Sequence, residues 1–207
     1  MNDPYMPIEQ KTGITRQALE ILAENKFPVH VMTKGDIVVR DRVVLKDISS
    51  VYAAVSFTVT TADDTLAAKL EPGAPSPAAR FTAMEQLAAE GIYTGITMMP
   101  ILPFINDTTD NVRGIMERAA SAGAYYVIPM FGVTLREGSR EYHYSALDQL
   151  FPGVRERYEN RFGESYMCNS PGYADLLDTF RETGDRLGLK DGMEFYSPPA
   201  DTQTKLF

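Results

Sequence analysis

Leu70-Glu71-Pro72-Gly73-Ala74-Pro75-Ser76-Pro77, with Arg80 one turn further on, is the stretch from which the fold is read. Three prolines and a glycine in eight residues make a stiff, turn-rich connector. Ser76 is placed to cap open amides, and Pro77 to take the first helical position, where no N–H is needed. An apolar run, Ala53 to Val59, precedes the connector, and another, Gly95 to Pro100, follows its helix. A connector this rigid between two strands of parallel type predicts a rim loop of a βα barrel. Glu71 and Arg80 are read as an ion pair that fixes the connector.

The same alternation extends in both directions. Upstream, a helix is expected over Thr15 to Asn25 with Thr15 as its cap, then a strand over Phe27 to Lys34 and a helix over Asp36 to Ile48. Ala53 to Val59 is nearly continuous in apolar character, as a parallel strand buried on both faces should be. Downstream, Pro77 to Glu90 is helical and stops at Gly91, Gly95 to Pro100 is a strand, Asp110 to Ala122 is a helix, and Tyr125 to Phe131 is a fourth strand. Four strand–helix alternations argue for a parallel sheet with right-handed crossovers. Beyond Gly132, Ser145 to Gly163 and Tyr173 to Leu187 read as helices with no further strand, Cys168 lies in a loop between them, and the tail from Gly192 is expected on the surface. The domain reading is therefore βα units over 1–132 and a helical extension over 133–207 packed on the same domain.

At 207 residues, 44% apolar and 23% charged, the chain has the composition of an ordinary globular domain. The net charge of −8 offers no general basic footprint, so nucleic acid is not the expected partner. A single cysteine excludes an internal disulfide and fits a cytoplasmic setting. No apolar run reaches the length of a membrane span.

In such folds ligands bind at the carboxyl ends of the strands. The polar residues expected there are Asp3, Thr33, Lys34, Ser56 with the threonines beyond it, and Asn106-Asp107. An acid, an amine and several hydroxyls on one rim suit a zwitterionic ligand. His30, inside an apolar strand, is read as a packed core histidine. His143 is placed in a loop without a catalytic partner, and the ten methionines are read as core filling.

Five segments together carry a resemblance: Asp3-Pro4-Tyr5-Met6-Pro7-Ile8-Glu9, Pro28 to Lys34, Val55 to Thr61, Leu70 to Arg80, and Pro100-Ile101-Leu102-Pro103-Phe104-Ile105-Asn106-Asp107. In order and spacing they resemble radical S-adenosylmethionine (SAM) proteins, in the branch that includes spore photoproduct lyase. The resemblance runs to about Leu189. It implies an α/β fold, a partial (βα)-barrel of the radical SAM type, missing its first strand, with C-terminal helices. It also implies SAM and a 4Fe–4S cluster as cofactors, and hydrogen abstraction from a substrate by a 5′-deoxyadenosyl radical. Carried over by motif, Asp3 falls near the SAM amino group, Lys34 and Ser56 fall where the branch contacts SAM, and Pro100 falls on the adenine side. Cys168 is a weak candidate for a hydrogen-donating thiol, set against a structural thiol.

The family's C-x3-C-x2-C cluster loop is absent from this sequence, and Asp3 to Glu9 reads like a loop whose strand has been lost. The expectation is a barrel body that is inactive alone, because three thiolates cannot come from one cysteine. The rival expectation is a non-catalytic SAM- or nucleotide-binding remnant, or an interaction partner. A missing strand also predicts an exposed sheet edge and association through it, including homo-oligomers.

Overall fold

The computed structural model describes residues 3–198. Two short helices, α1 (Glu9–Thr12) and α2 (Ile14–Glu24), precede strand β1 (Val29–Thr33). A 3₁₀ helix (Asp36–Asp41) leads into α3 (Arg42–Ile48) and then β2 (Ala53–Thr58). Helices α4 (Asp64–Leu70) and α5 (Pro77–Ala89) flank the proline-rich connector, and β3 (Tyr93–Met98), α6 (Thr109–Ser121) and β4 (Tyr126–Pro129) follow. The sheet is parallel throughout, in the order β1-β2-β3-β4, so sequential strands are spatial neighbours.

The local reasons follow the chemistry of the sequence. Ser76 caps α5 by accepting from the Ala79 amide at 3.2 Å, and Pro77 stands at the first turn. Thr108 caps α6 in the same way, accepting from the Asn111 amide at 3.1 Å. Gly188, at φ +71°, closes the last helix, α9 (Tyr173–Leu187), in a left-handed conformation that costs glycine little. Helices α2, α3, α5, α6 and α9 cover one face of the sheet. Their Leu19, Leu45, Leu87, Ile115 and Phe180 meet Val31, Val55, Phe57, Ile96 and Val127 from the strands.

Several elements differ from the expectations above. The Asp36 to Ile48 helix is in two parts: the branched run Ile37-Val38-Val39 takes 3₁₀ winding, and Asp41 turns inward to Tyr5 and Arg40. Thr15 does not cap α2; its hydroxyl donates to the Pro4 carbonyl at 2.6 Å, and Gly13 stands at the cap. Ser145 to Gly163 is not one helix. Helix α7 (Ser139–Leu150) ends before Pro152, Gly153 turns at φ +84°, and α8 (Val154–Phe162) starts afresh.

Strands were not expected beyond Gly132, yet β5 (Gly132–Thr134) pairs antiparallel with β6 (Met167–Asn169). Three-residue strands are too short to show an alternation, which is why the sequence pattern passes over them. Cys168 therefore lies in a strand, and His143 in α7. The tail from Gly192 is only partly superficial. Met193 is buried against Ala54 and Tyr126, the Glu194 carbonyl accepts from the Tyr52 hydroxyl at 2.6 Å, and residues 199–207 lie outside the described residues.

Candidate functional site

The carboxyl end of β1 is organised by Asp3. Its carboxylate accepts from the Tyr5 amide at 2.8 Å, the Thr33 hydroxyl at 2.6 Å and the Lys34 amide at 2.7 Å. The Thr33 oxygen in turn accepts from the Gly35 amide at 2.8 Å. A side chain at Gly35 would lie 2.6 Å from the Tyr5 carbonyl oxygen, so the close approach of the two loops requires glycine here. Asp3 thus locks the opening loop onto the end of β1.

Lys34 extends from this end and forms an ion pair with Glu71 at 2.9 Å. The other oxygen of Glu71 pairs with Arg80 at 2.6 Å. Arg80 is fully buried and also donates to the carbonyls of Pro75 at 2.9 Å and Thr58 at 2.7 Å. One row of charges therefore joins the ends of β1 and β2 to the connector and α5. The ion pair expected between Glu71 and Arg80 is present, with Lys34 as a third member.

Between these parts lies a cavity of about 580 Å³, bounded by Asp3, Tyr5, Lys34, Asp36 and the Pro72 to Pro75 turn. That is within the usual range for small-molecule sites. Behind its wall, Tyr5 donates to Asp41 at 3.0 Å, and Arg40 bridges Asp41 and Glu9 at 2.8 Å each. Burial, with the Asp41 charge and hydrogen bond beside it, pushes the Tyr5 phenol far above its ordinary range. Tyr5 and Asp41 were not singled out in the sequence; only the long-range fold brings them together.

Ser56 and Pro100 lie elsewhere. Ser56 is completely buried on β2, hydrogen-bonded to His30 Nε2 at 2.7 Å and to the Tyr126 hydroxyl at 2.6 Å. It touches neither Asp3 nor Lys34 in these hydrogen bonds. Pro100 follows β3, where the next residue's amide, on Ile101, donates to the Met130 carbonyl at 3.0 Å and ties the loops after β3 and β4 together. Asn106 is buried and also structural. It donates to the Thr60 carbonyl at 2.7 Å and accepts from the Leu102 amide at 2.6 Å.

Cys168 is fully buried in a separate apolar cluster with Tyr144, Leu147 and Tyr158. Burial pushes its thiol up, the nearby Arg140 charge opposing, and a protonated, enclosed thiol is unreactive. His143 packs edge-on against Tyr158 at 5.1 Å between ring centres, and burial lowers its basicity. His30 departs from the core reading: its ring is on the exposed side of β1.

The rim groups fit a zwitterionic ligand such as SAM, since Lys34 can meet a carboxylate while Asp36 can meet a cationic group. An iron–sulfur cluster does not fit this chain. Its one cysteine is enclosed in β6, and among the described residues no three His, Cys, Asp or Glu side chains converge to hold a metal. No helix among the described residues is long and apolar enough to cross a membrane.

Comparison with known proteins agrees with the fold. No family model matches the chain. An uncharacterized protein of Mycobacterium tuberculosis is 26% identical over 176 residues, covering 84% of this chain and 51% of that protein. A protein of Pseudomonas phage M6 named radical SAM Nalpha-GlyT isomerase is 32% identical over 161 residues, covering 78% of this chain and 30% of that protein. Spore photoproduct lyase, in its complex with dinucleoside spore photoproduct, superposes with a TM-score of 0.61 at 17% identity over 87% of this chain and 54% of that one. The chain spans about half the length of the curated relatives matched first.

Proposed function

From the fold shared with spore photoproduct lyase and the sequence kinship to a protein named as a radical SAM isomerase, we propose that this chain is the barrel portion of a radical SAM enzyme. In this reading the four parallel strands are the surviving part of a (βα)-barrel whose first strand, and the cysteine loop after it, are supplied by polypeptide other than these 207 residues. The chain alone is then inactive. The observation that carries the reading is the rim cavity at the carboxyl end of β1, where Lys34 stands with Asp3 and Asp36 and is paired with Glu71.

Within that cavity Lys34 would hold the SAM carboxylate, after exchanging it for Glu71, and the carboxylate of Asp36 would face its cationic groups. Asp3 would act chiefly by holding β1 and the opening loop in register, because three hydrogen bonds already engage it. Ser56 would act from below, through His30 and Tyr126. The chemistry that SAM supplies in this family is hydrogen abstraction by a 5′-deoxyadenosyl radical after its reductive cleavage. A cytoplasmic setting and a small-molecule partner belong to the same reading; the substrate follows from none of these residues.

Titration calorimetry with SAM tests it. Measurable binding is expected for this chain, weakened at least tenfold in Lys34→Ala; no heat of binding would overturn the assignment of the cavity. Anaerobic iron–sulfur reconstitution separates the two forms of the proposal. This chain is expected to hold no SAM-cleaving cluster, whereas the same chain preceded by a strand and a C-x3-C-x2-C loop is expected to cleave SAM. Failure of the longer polypeptide, with SAM binding intact, would favour the second reading, a non-catalytic SAM-binding module.

A further inference from the structure

Glu71 stands behind the rim cavity rather than in its wall. The cavity is bounded by Asp3, Lys34, Asp36 and the turn from Pro72 to Pro75, and Glu71 is not among the groups that face it. Its carboxylate is instead divided between two cations. One oxygen takes the Lys34 ammonium at 2.9 Å, and the other takes the Arg80 guanidinium at 2.6 Å. The two partners are unlike. Arg80 is 1% exposed and is also held by the carbonyls of Pro75 and Thr58, so it is fixed in place. The Lys34 side chain is 39% exposed and lines the cavity, and its ammonium has Glu71 as its one partner among the described residues.

This difference decides which contact gives way. Separating Glu71 from Arg80 leaves a buried guanidinium short of its counter-ion, whereas Lys34 can exchange one carboxylate for another at the solvent border. A neutral acceptor does not take Lys34 from Glu71, because a hydrogen bond between ions is about twice as strong as a neutral one. A carboxylate does, since the ammonium keeps a charged partner throughout. Asp3, already engaged by three donors, does not compete.

We propose that Glu71 is a specificity-determining residue of the rim cavity, an internal carboxylate that occupies Lys34 until a carboxylate of the ligand displaces it, and that stays on Arg80 when it does. The proposal rests on the assignment of the cavity to SAM and adds a selectivity to it. Removing the acid tightens the binding of a ligand that carries a carboxylate, although the protein loses an ion pair. It does not tighten the binding of a ligand that lacks one.

Titration calorimetry of Glu71→Gln tests it, because the introduced amide oxygen still accepts from Arg80 while the Lys34 ammonium is released. SAM is expected to bind about fivefold tighter than to the unaltered chain, the scale of an ion pair at the solvent border. Decarboxylated SAM, which keeps the sulfonium and the amino group, is expected to bind no tighter. On a Lys34→Ala background, Glu71→Gln is expected to leave SAM affinity unchanged within about a factor of two, since the acid acts through the lysine. A readout without ligand uses the unaltered chain. Acetylation by an N-hydroxysuccinimide ester, followed by peptide mass spectrometry, is expected to label Lys34 more slowly than Lys11, which is exposed and makes no ion pair among the described residues. Glu71→Gln is expected to remove that difference.

Unchanged or weaker SAM binding in Glu71→Gln, an equal gain for decarboxylated SAM, a gain that persists without Lys34, or equal labelling of Lys34 and Lys11 in the unaltered chain would each overturn the proposal. The failures stay distinct. If neither the unaltered chain nor Glu71→Gln binds SAM, the assignment of the cavity falls and the proposal with it. If the unaltered chain binds SAM through Lys34 and Glu71→Gln binds it no tighter, the assignment stands and the proposal alone falls.

Discussion

Glu9 is enclosed at the start of α1 and yet ionised. Burial opposes its charge, but hydrogen bonds from Arg40, the amides of Thr15 and Arg16, and the Thr12 hydroxyl outweigh it and bring the carboxyl to about 2 from an ordinary 4.5. With the folded value below the unfolded one, the folded state binds fewer protons between these limits. The stabilisation is therefore complete above pH 4.5 and is lost as the pH falls toward 2. Glu9→Gln is expected to lower the urea midpoint at pH 7, and to show a smaller further loss than the unaltered chain between pH 5 and pH 3. An equal loss in both would show that Glu9 does not drive the acid response. The residue is legible in the sequence only as an acid at the end of the opening loop, Asp3 to Glu9. Its partner Arg40 lies 31 positions away, and that pairing depends on the packing of the opening loop against the 3₁₀ helix.

At the scale of elements, the proline-rich connector proves to be a brace. Its helix cap and its ion pair could both be read directly, because Ser-Pro at a helix start and Glu71 near Arg80 are local features. The carbonyl of Thr58 as a further acceptor for Arg80 was not legible, since it comes from the preceding strand. Arg80→Met leaves Glu71 and that carbonyl without their buried donor. Breaking one side of a buried pair costs about 3–5 kcal/mol, and the low end is expected here because Lys34 still reaches Glu71. Equilibrium urea unfolding measures it; a loss under about 1 kcal/mol, the scale of a surface pair, would mean that the brace is not structural. The elements after Gly132 were the least legible. The Pro152-Gly153 break was present in the sequence but masked by the helical spacing on both sides. The β5–β6 pair depends on contacts between segments more than thirty residues apart.

At the scale of the molecule, the last described segment closes the lower end of the sheet's open face. Lys190 bridges to β4, accepting from the Val127 amide at 2.9 Å and donating to the Tyr125 carbonyl at 2.9 Å, and Met193 covers Ala54 and Tyr126. A chain ending at Leu189 is expected to melt several degrees lower and to show faster amide exchange in β4 than in β1, measured by calorimetry and exchange mass spectrometry. Uniform loss of protection across the sheet would contradict this local role. β1 stands at the other side of the sheet with β2 as its only strand neighbour among the described residues.

What the sequence alone determined is the parallel alternation, the Ser76 cap, the connector and its ion pair, because each depends on neighbours within about a dozen residues or on a regular period. It also determined that one cysteine cannot supply three thiolates. Only the tertiary structure decided what Asp3, Ser56 and His30 do: Asp3 braces a strand end, Ser56 is enclosed, and His30 faces outward. The reason is physical. Which side of a strand a residue occupies is set by register across the sheet, and what a polar group bonds to is set by whichever segment folding brings beside it. Neither is encoded in the spacing of one strand.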